Sequence, residues 1–480
     1  MSFLKPSEIP DISLFKDWEK SLEIKINENI INVEKGKIIQ EGISSDKNKK
    51  YCDFYRLQSI FSREEVCKIR NLAENIKLNT DPDSVDGMCS REFYIENPSF
   101  HASWDASGDT SGDDSVRDLR NNLKNIIQPV IDDKITPYVR SLYSQHAIEN
   151  RLCSCCYYFI RKYNENERTT HATHRDGHAY ATVVISLSDY EKEYTGGLYV
   201  ATSERYKKFI ELNRGDGIVH KHDLLHGVKV QRNKNKSERW SLILWYKDST
   251  QCIDYSNEWY KTKAHKNEPI YQSLYANQTD SNNIVLWHKK AAENGLASSM
   301  VKLARAYLKK LPSNLEFNSS EAERLYRLAI DTSQDPNAQY ELAEMILLGL
   351  VKIQTNSMLY LLSHVINLLE DSAKGGNVFA MFNLGIAHLY GYTGKVDMDL
   401  AKDWFEYSDL PEGLFAASLY YQRQQDFFMM NKLRNRAQIL GFGTEWRKAS
   451  RTRTGLGGAS GVDINLSWPQ MPNGIKPEIF

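Results

Sequence analysis

Three stretches in the C-terminal half, KAAENGLASSMVKLARAYL, LAIDTSQDPNAQYELAEMIL and DSAKGGNVFAMFNLGIAHLY, align on a small residue followed four positions later by a leucine: Ser299 with Leu303, Ala338 with Leu342, Ala380 with Leu384. The intervals are 39 and 42 residues, and AKDWFEYSDLPEGLFAASLYY supplies a looser fourth copy. A helix pair of this size cannot bury its apolar face alone, so self-similarity at this period requires units that complete their core on their neighbours. The helical pattern runs from about 255 to about 440, which makes 251–440 an expected α-helical repeat solenoid. Trp287, Trp404 and Phe405 fall at helical spacing and read as its core packing.

Upstream the period changes. From 152, LCSCCYYFIRKY, AYATVVISLS, GGLYVA, FIEL, GIVH, GVKVQ and RWSLILWY are short runs rich in Val, Ile, Tyr and Trp, separated by Gly, Asn, Asp and Lys. Seven or so strands without intervening helices imply an antiparallel barrel or a two-sheet jelly roll. Two helical stretches precede them. FSREEVCKIRNLAENIK carries Ser62 with Glu65 three residues on, a capping-box start, and VRDLRNNLKNII is expected to end near Pro129. Residues 81–115 read as a Gly- and Ser-rich loop suited to a lid, 1–50 as an extension and 441–480 as a disordered tail. A chain of 480 residues exceeds one core, so the fold class is multidomain α+β.

The 61 Lys+Arg and 62 Asp+Glu leave a formal net charge of -1, which gives no global field to attract nucleic acid. No apolar stretch is long enough to span a bilayer and no signal peptide is evident, so the expectation is a cytoplasmic or nuclear protein without a membrane partner. Seven cysteines are too few and too irregular for a disulfide framework, and Cys153, Cys155 and Cys156 read as small apolar residues on a strand.

The chemistry concentrates in THRDGHAYATVV, starting at 173. Read as the start of one strand, it would project His174 and Asp176, two apart, to the same face, where they could share a metal. A two-histidine, one-carboxylate site needs a second histidine and leaves positions open for other ligands. GDGIVHKHDLLHGVKV offers His220, His222 and His226; His226, at the turn before GVKVQ, is the best candidate, and His220 and His222 read as strand face and turn. His171 and His178 read as residues of a polar face rather than an entrance. Arg239 opens RWSLILWY with Ser241 on the same side, and a lone guanidinium inside an apolar barrel requires an anion, which its planar fork can hold in bidentate geometry.

His174-Arg175-Asp176, Gly196-Gly197, His226 and Arg239, in this order, resemble the iron(II)- and 2-oxoglutarate-dependent oxygenases, most closely the branch of prolyl 4-hydroxylases and lysyl hydroxylases. The resemblance covers about 51–250. Residues 285–425 separately resemble Sel1-like repeats, relatives of tetratricopeptide repeats, through Trp287, Lys290, Ala291, Ala292 and Gly295 and through Ala401, Trp404 and Phe405. The first resemblance implies a double-stranded β-helix (jelly roll) with N-terminal helices. It implies that His174, Asp176 and His226 ligate Fe(II), that Arg239 holds the far carboxylate of 2-oxoglutarate, and that Tyr163 stands near this cosubstrate. Dioxygen is then the other cosubstrate and ascorbate an accessory reductant. Because Asp176 is present, hydroxylation is implied rather than halogenation. Arg239 follows His226 by 13 residues, a long gap for the branch, where lysine is common; the insert RNKNKSE leaves Lys236 as a rival anchor.

The expected function is hydroxylation of a peptidyl proline or lysine, with the repeats binding a protein substrate or partner. The alternatives are an idle scaffold working through its repeats, or a small-molecule hydroxylase. A zinc hydrolase fails on spacing, since Asp223 directly follows His222 and no histidine follows Asp223.

Overall fold

The structure is a computed structural model that describes residues 29–33, 36–43, 52–74, 90–97, 114–143, 154–165, 168–201, 207–231, 237–247, 258–276, 281–309, 315–354 and 357–442. The residues of the expected tail beyond 442, most of the 81–115 segment and Lys236 lie outside them.

Two antiparallel sheets carry the β-rich part. The strands are β1 (Asn29–Val33), β2 (Gly36–Ile43), β3 (Cys52–Leu57), β4 (Arg91–Glu96), β5 (Ser154–Asn164), β6 (Thr170–His174), β7 (Ala181–Ser186), β8 (Gly196–Ala201), β9 (Lys207–Phe209), β10 (Gly217–Lys221), β11 (Leu225–Val230) and β12 (Glu238–Lys247). Eight form one sheet in the order β1-β2-β3-β10-β7-β12-β5-β4, and four form the other in the order β6-β11-β8-β9. In β7, Val183 and Ile185 face one core while Val184 faces another, the alternation that gives a buried strand two different faces.

The first of these cores holds three helices against the large sheet. α1 (Arg63–Glu74), α2 (Asp114–Val130) and α3 (Thr136–Tyr143) contribute Val66, Ile69, Leu123, Ile127 and Val139 against Val183, Ile185, Leu242 and Leu244. The capping box at α1 is complete: Glu65 Oε2 accepts from the Ser62 amide at 2.7 Å, and Ser62 Oγ from the Glu65 amide at 3.2 Å.

Three expectations are corrected here. Pro129 does not end its helix; it lies inside α2, and the chain continues through a π-helical turn, Ile131–Ile135, into α3. Proline removes one backbone donor from a helix without having to end it, and here the helix runs through it to the π turn. The 81–115 segment is not all loop: REFYIE forms β4, the edge strand beside β5, and supplies Phe93 and Ile95 to the core. Cys156 is not simply a small apolar strand residue, because it is disulfide-bonded, while the Cys155 thiol donates to Tyr157 O at 3.7 Å.

The C-terminal part is helical from Glu258 to Ile439: α4 (Glu258–His265), α5 (Pro269–Ala276), α6 (Ser281–Glu293), α7 (Ala297–Lys309), α8 (Ser319–Ser333), α9 (Pro336–Leu347), α10 (Met358–Lys374), α11 (Val378–Leu389), α12 (Met398–Ser408), α13 (Pro411–Arg423) and α14 (Phe427–Ile439). Each packs on the next in chain order. The aligned residues Ser299, Ala338 and Ala380 are buried, as are Leu303, Leu342 and Leu384. Small side chains let successive helices approach, and the leucines fill the space between them. Trp287, Trp404 and Phe405 are core residues. No helix among the described residues is long and apolar enough to cross a membrane.

Candidate metal centre and cosubstrate pocket

β6 ends at His174, and the chain turns immediately. The Gly177 amide donates to Arg175 O at 2.8 Å and the Ala179 amide to Asp176 O at 2.9 Å. Asp176 is therefore not on a strand with His174, which corrects the alternation by which the pair was first brought together. The tight turn folds the carboxylate back beside the imidazole instead. β11 runs antiparallel to β6 with His226 in register with His174, and a bulge follows between His226 and Val228. A bulge re-aims side chains, and here it occurs beside the histidine. His174 Nε2 lies 3.3 Å from Asp176 Oδ1, and His226 Nε2 lies 3.6 Å from Asp176 Oδ2. The ligand atoms of the three residues all fall within 4.8 Å of one another.

Each ring is oriented by its other nitrogen. His174 Nδ1 is 2.8 Å from Ala172 O and His226 Nδ1 is 3.2 Å from Leu224 O; donation from Nδ1 to a carbonyl leaves Nε2 with a free lone pair. Thr182 Oγ1 donates to Asp176 Oδ2 at 2.6 Å. Burial holds the His226 ring well below its ordinary pKa, hence neutral. Burial pushes the Asp176 carboxyl up, but the His226 and His174 rings outweigh it and hold it well below the carboxylate range. Two imidazole nitrogens and a carboxylate brought this close form the kind of donor set that a divalent cation takes.

The cluster opens on a cavity of about 340 Å³ lined from both sheets. Arg239 and Ser241 lie on one wall with Tyr163, and Val184, Leu198, Val228 and Ile243 make the apolar surround. Arg239 is almost fully buried. Its Nη1 donates to Ser241 Oγ at 3.4 Å, while Nε and Nη2 have no hydrogen-bond partner. The guanidinium carbon sits 5.9 Å from the Tyr163 ring centre and 5.8 Å from that of Tyr194. A buried cation with unused donors is costly in isolation, a cost that an anionic guest would offset. Gly197, at φ +85°, makes room for it: a Cβ there would lie 2.6 Å from the Tyr194 ring and 3.3 Å from Arg239 Cδ.

His171 and His178 both line the cavity rather than a separate polar face; the His171 ring packs 4.3 Å from His174 and the His178 ring 4.1 Å from Trp245. His220 is buried on β10 with its ring 4.5 Å from His226, and His222 occupies the following turn, near Tyr180 O. The remaining wall was not foreseen: Ser90, Glu92, Tyr94, Phe159, Arg161, Thr182 and Trp245 line it, with Arg161 and Glu92 paired as ions. Thr182 had one readable signal, a hydroxyl within the otherwise apolar run ATVVIS.

No protein-family model matches the chain, and no curated protein matches it. Among solved structures it is similar to a Sel1 repeat protein from Oxalobacter formigenes (20% identity, 41% of this chain and 59% of that one, TM-score 0.37). It is also similar to a 2OG-Fe(II) oxygenase family oxidoreductase from Burkholderia pseudomallei (16% identity, 41% and 85%, TM-score 0.29) and to a prolyl-4-hydroxylase from Pseudomonas putida (12%, 40% and 91%, TM-score 0.24). The chain thus spans 59% of the length of the Sel1 repeat protein, and its neighbours include both oxygenases and repeat proteins at low, partial similarity.

Proposed function

We propose that the chain is an iron(II)- and 2-oxoglutarate-dependent oxygenase that hydroxylates a C–H bond. His174, Asp176 and His226 hold the metal, Arg239 receives the distal carboxylate of 2-oxoglutarate, and Tyr163 flanks that cosubstrate. The observation that carries this reading is the coincidence, in one cavity, of a His-Asp-His donor cluster with a buried guanidinium whose Nε and Nη2 donors are unused. The bound iron and its cosubstrate supply oxidative decarboxylation, with succinate and carbon dioxide as products, coupled to dioxygen; ascorbate serves as an accessory reductant. The protein fixes the donor geometry, orients the dicarboxylate and walls the site with apolar side chains.

The two sheets meeting across the cavity are read as a double-stranded β-helix over 51–250, and the helices as a Sel1-like solenoid over 251–440. Peptidyl proline or lysine is the proposed substrate. Tyr94, Phe159 and Trp245 give the far wall flat apolar faces that suit a saturated ring or an alkyl chain, and the repeats add surface for a protein partner. The test measures succinate formed from 2-oxoglutarate with Fe(II), ascorbate and a cell-derived peptide mixture, followed by mass spectrometry for a gain of one oxygen. Wild type should turn over and His174→Ala should not. Persistent silence with iron bound would leave the repeats as the working part of the molecule.

A further inference from the structure

The helical part touches the strands that carry His174 and His226 and the turns that lead into them. At the start of β6, Thr169 Oγ1 donates to Asp409 Oδ2 at 2.7 Å, and Arg436 on α14 both pairs with that carboxylate at 2.6 Å and approaches Thr169 Oγ1 at 3.4 Å. Thr169 and Arg436 are buried, and Asp409, just after α12, is held at φ +56°. On β11, Lys229 Nζ lies 5.2 Å from the centre of the Tyr407 ring of α12. In the turn before β11, Asp223 Oδ2 accepts from the Tyr271 hydroxyl of α5 at 3.1 Å, and His222 Nε2 lies 3.2 Å from the same hydroxyl. Arg175, between the two ligands His174 and Asp176, donates through Nε to Asp223 O at 3.0 Å.

Among the described strands β6 is the edge of its sheet and pairs with β11 alone, and the bulge interrupts that pairing next to His226. An edge strand paired on one side has little of its own to fix its position. The strand carrying His174 and the turn leading to His226 are therefore held, in part, from outside the sheet.

We propose that the helical repeats act as a positioning element for the metal centre, with Thr169, Asp409 and Arg436 bracing β6 and Tyr271 bracing the turn at Asp223. Thr169 and Tyr271 are positioning residues; they touch no reacting atom and act through His174, Arg175 and His226. This rests on the metal site proposed above.

The test is an equilibrium titration of the full chain with Mn(II) under conditions where every variant is shown to be folded by circular dichroism. Thr169→Val preserves shape and removes the hydroxyl, Tyr271→Phe removes the second brace, and Thr169→Ser restores the first. Each removal should weaken Mn(II) binding about tenfold, as losses of outer supporting bonds do, and Thr169→Ser should bind like wild type. Unchanged affinity in folded Thr169→Val, in Tyr271→Phe and in the double variant overturns the proposal, whatever happens to thermal stability. Wild type that binds no Mn(II) overturns the metal site itself, and the brace with it.

Discussion

At the residue scale, Arg239 has an unusual ledger. Its Nε and Nη2 are buried without a hydrogen-bond partner, a cost to the fold that, on the proposed reading, a dicarboxylate would offset. Arg239→Met should raise the stability of the unliganded chain, by about 1–4 kcal/mol, and weaken 2-oxoglutarate binding at least about 30-fold. Thermal melts with and without 2-oxoglutarate read both effects, and a destabilised Arg239→Met would show that the guanidinium is satisfied elsewhere. Gly197→Ala brings a Cβ against Tyr194 and Arg239 at a positive φ and should cost about 1–3 kcal/mol, measured by denaturant unfolding. Thr182→Val leaves Asp176 Oδ2 without its hydroxyl donor and should lower metal affinity about tenfold, measured by metal titration.

At the element scale, legibility follows the reach of the underlying physics. Ser62 and Glu65 announce α1 because the capping box is a local bond pattern, and Ser299, Ala338 and Ala380 announce successive packed helices because each is a small residue buried at the same place in its stretch. The ordered set of His174, Asp176, His226 and Arg239 was readable, and the structure gathers all four at one cavity. The route to it was not: Asp176 reaches His174 by a turn that follows β6, and β6 is a separate strand from β7. β4 escaped notice because six residues of strand stand alone in a Gly-, Ser- and Asp-rich context, and their partner β5 lies some sixty positions away. Glu92, Arg161 and Trp245 became pocket residues only through that pairing and the neighbouring β12, which no local pattern encodes. Trp404→Ala should open a cavity between helices and cost about 3–5 kcal/mol; in a stack where each helix packs on its chain neighbours, hydrogen exchange should rise first in α11 to α13.

At the scale of the whole molecule, the oxygenase reading makes stability depend on ligands. On this reading metal and 2-oxoglutarate bind the native chain and not the unfolded one, so each, at 100 times its dissociation constant, should add about 2.7 kcal/mol, a shift visible in the melting temperature and absent in Asp176→Ala. The central claim is that His174, Asp176 and His226 hold one iron while Arg239 presents 2-oxoglutarate to it. An anaerobic titration of the full chain with Fe(II) and 2-oxoglutarate tests it most directly. A weak visible charge-transfer band that saturates at one equivalent of iron, requires both ligands and vanishes in Asp176→Ala is the expected result; folded wild-type protein that binds neither iron nor 2-oxoglutarate and shows no band would contradict it.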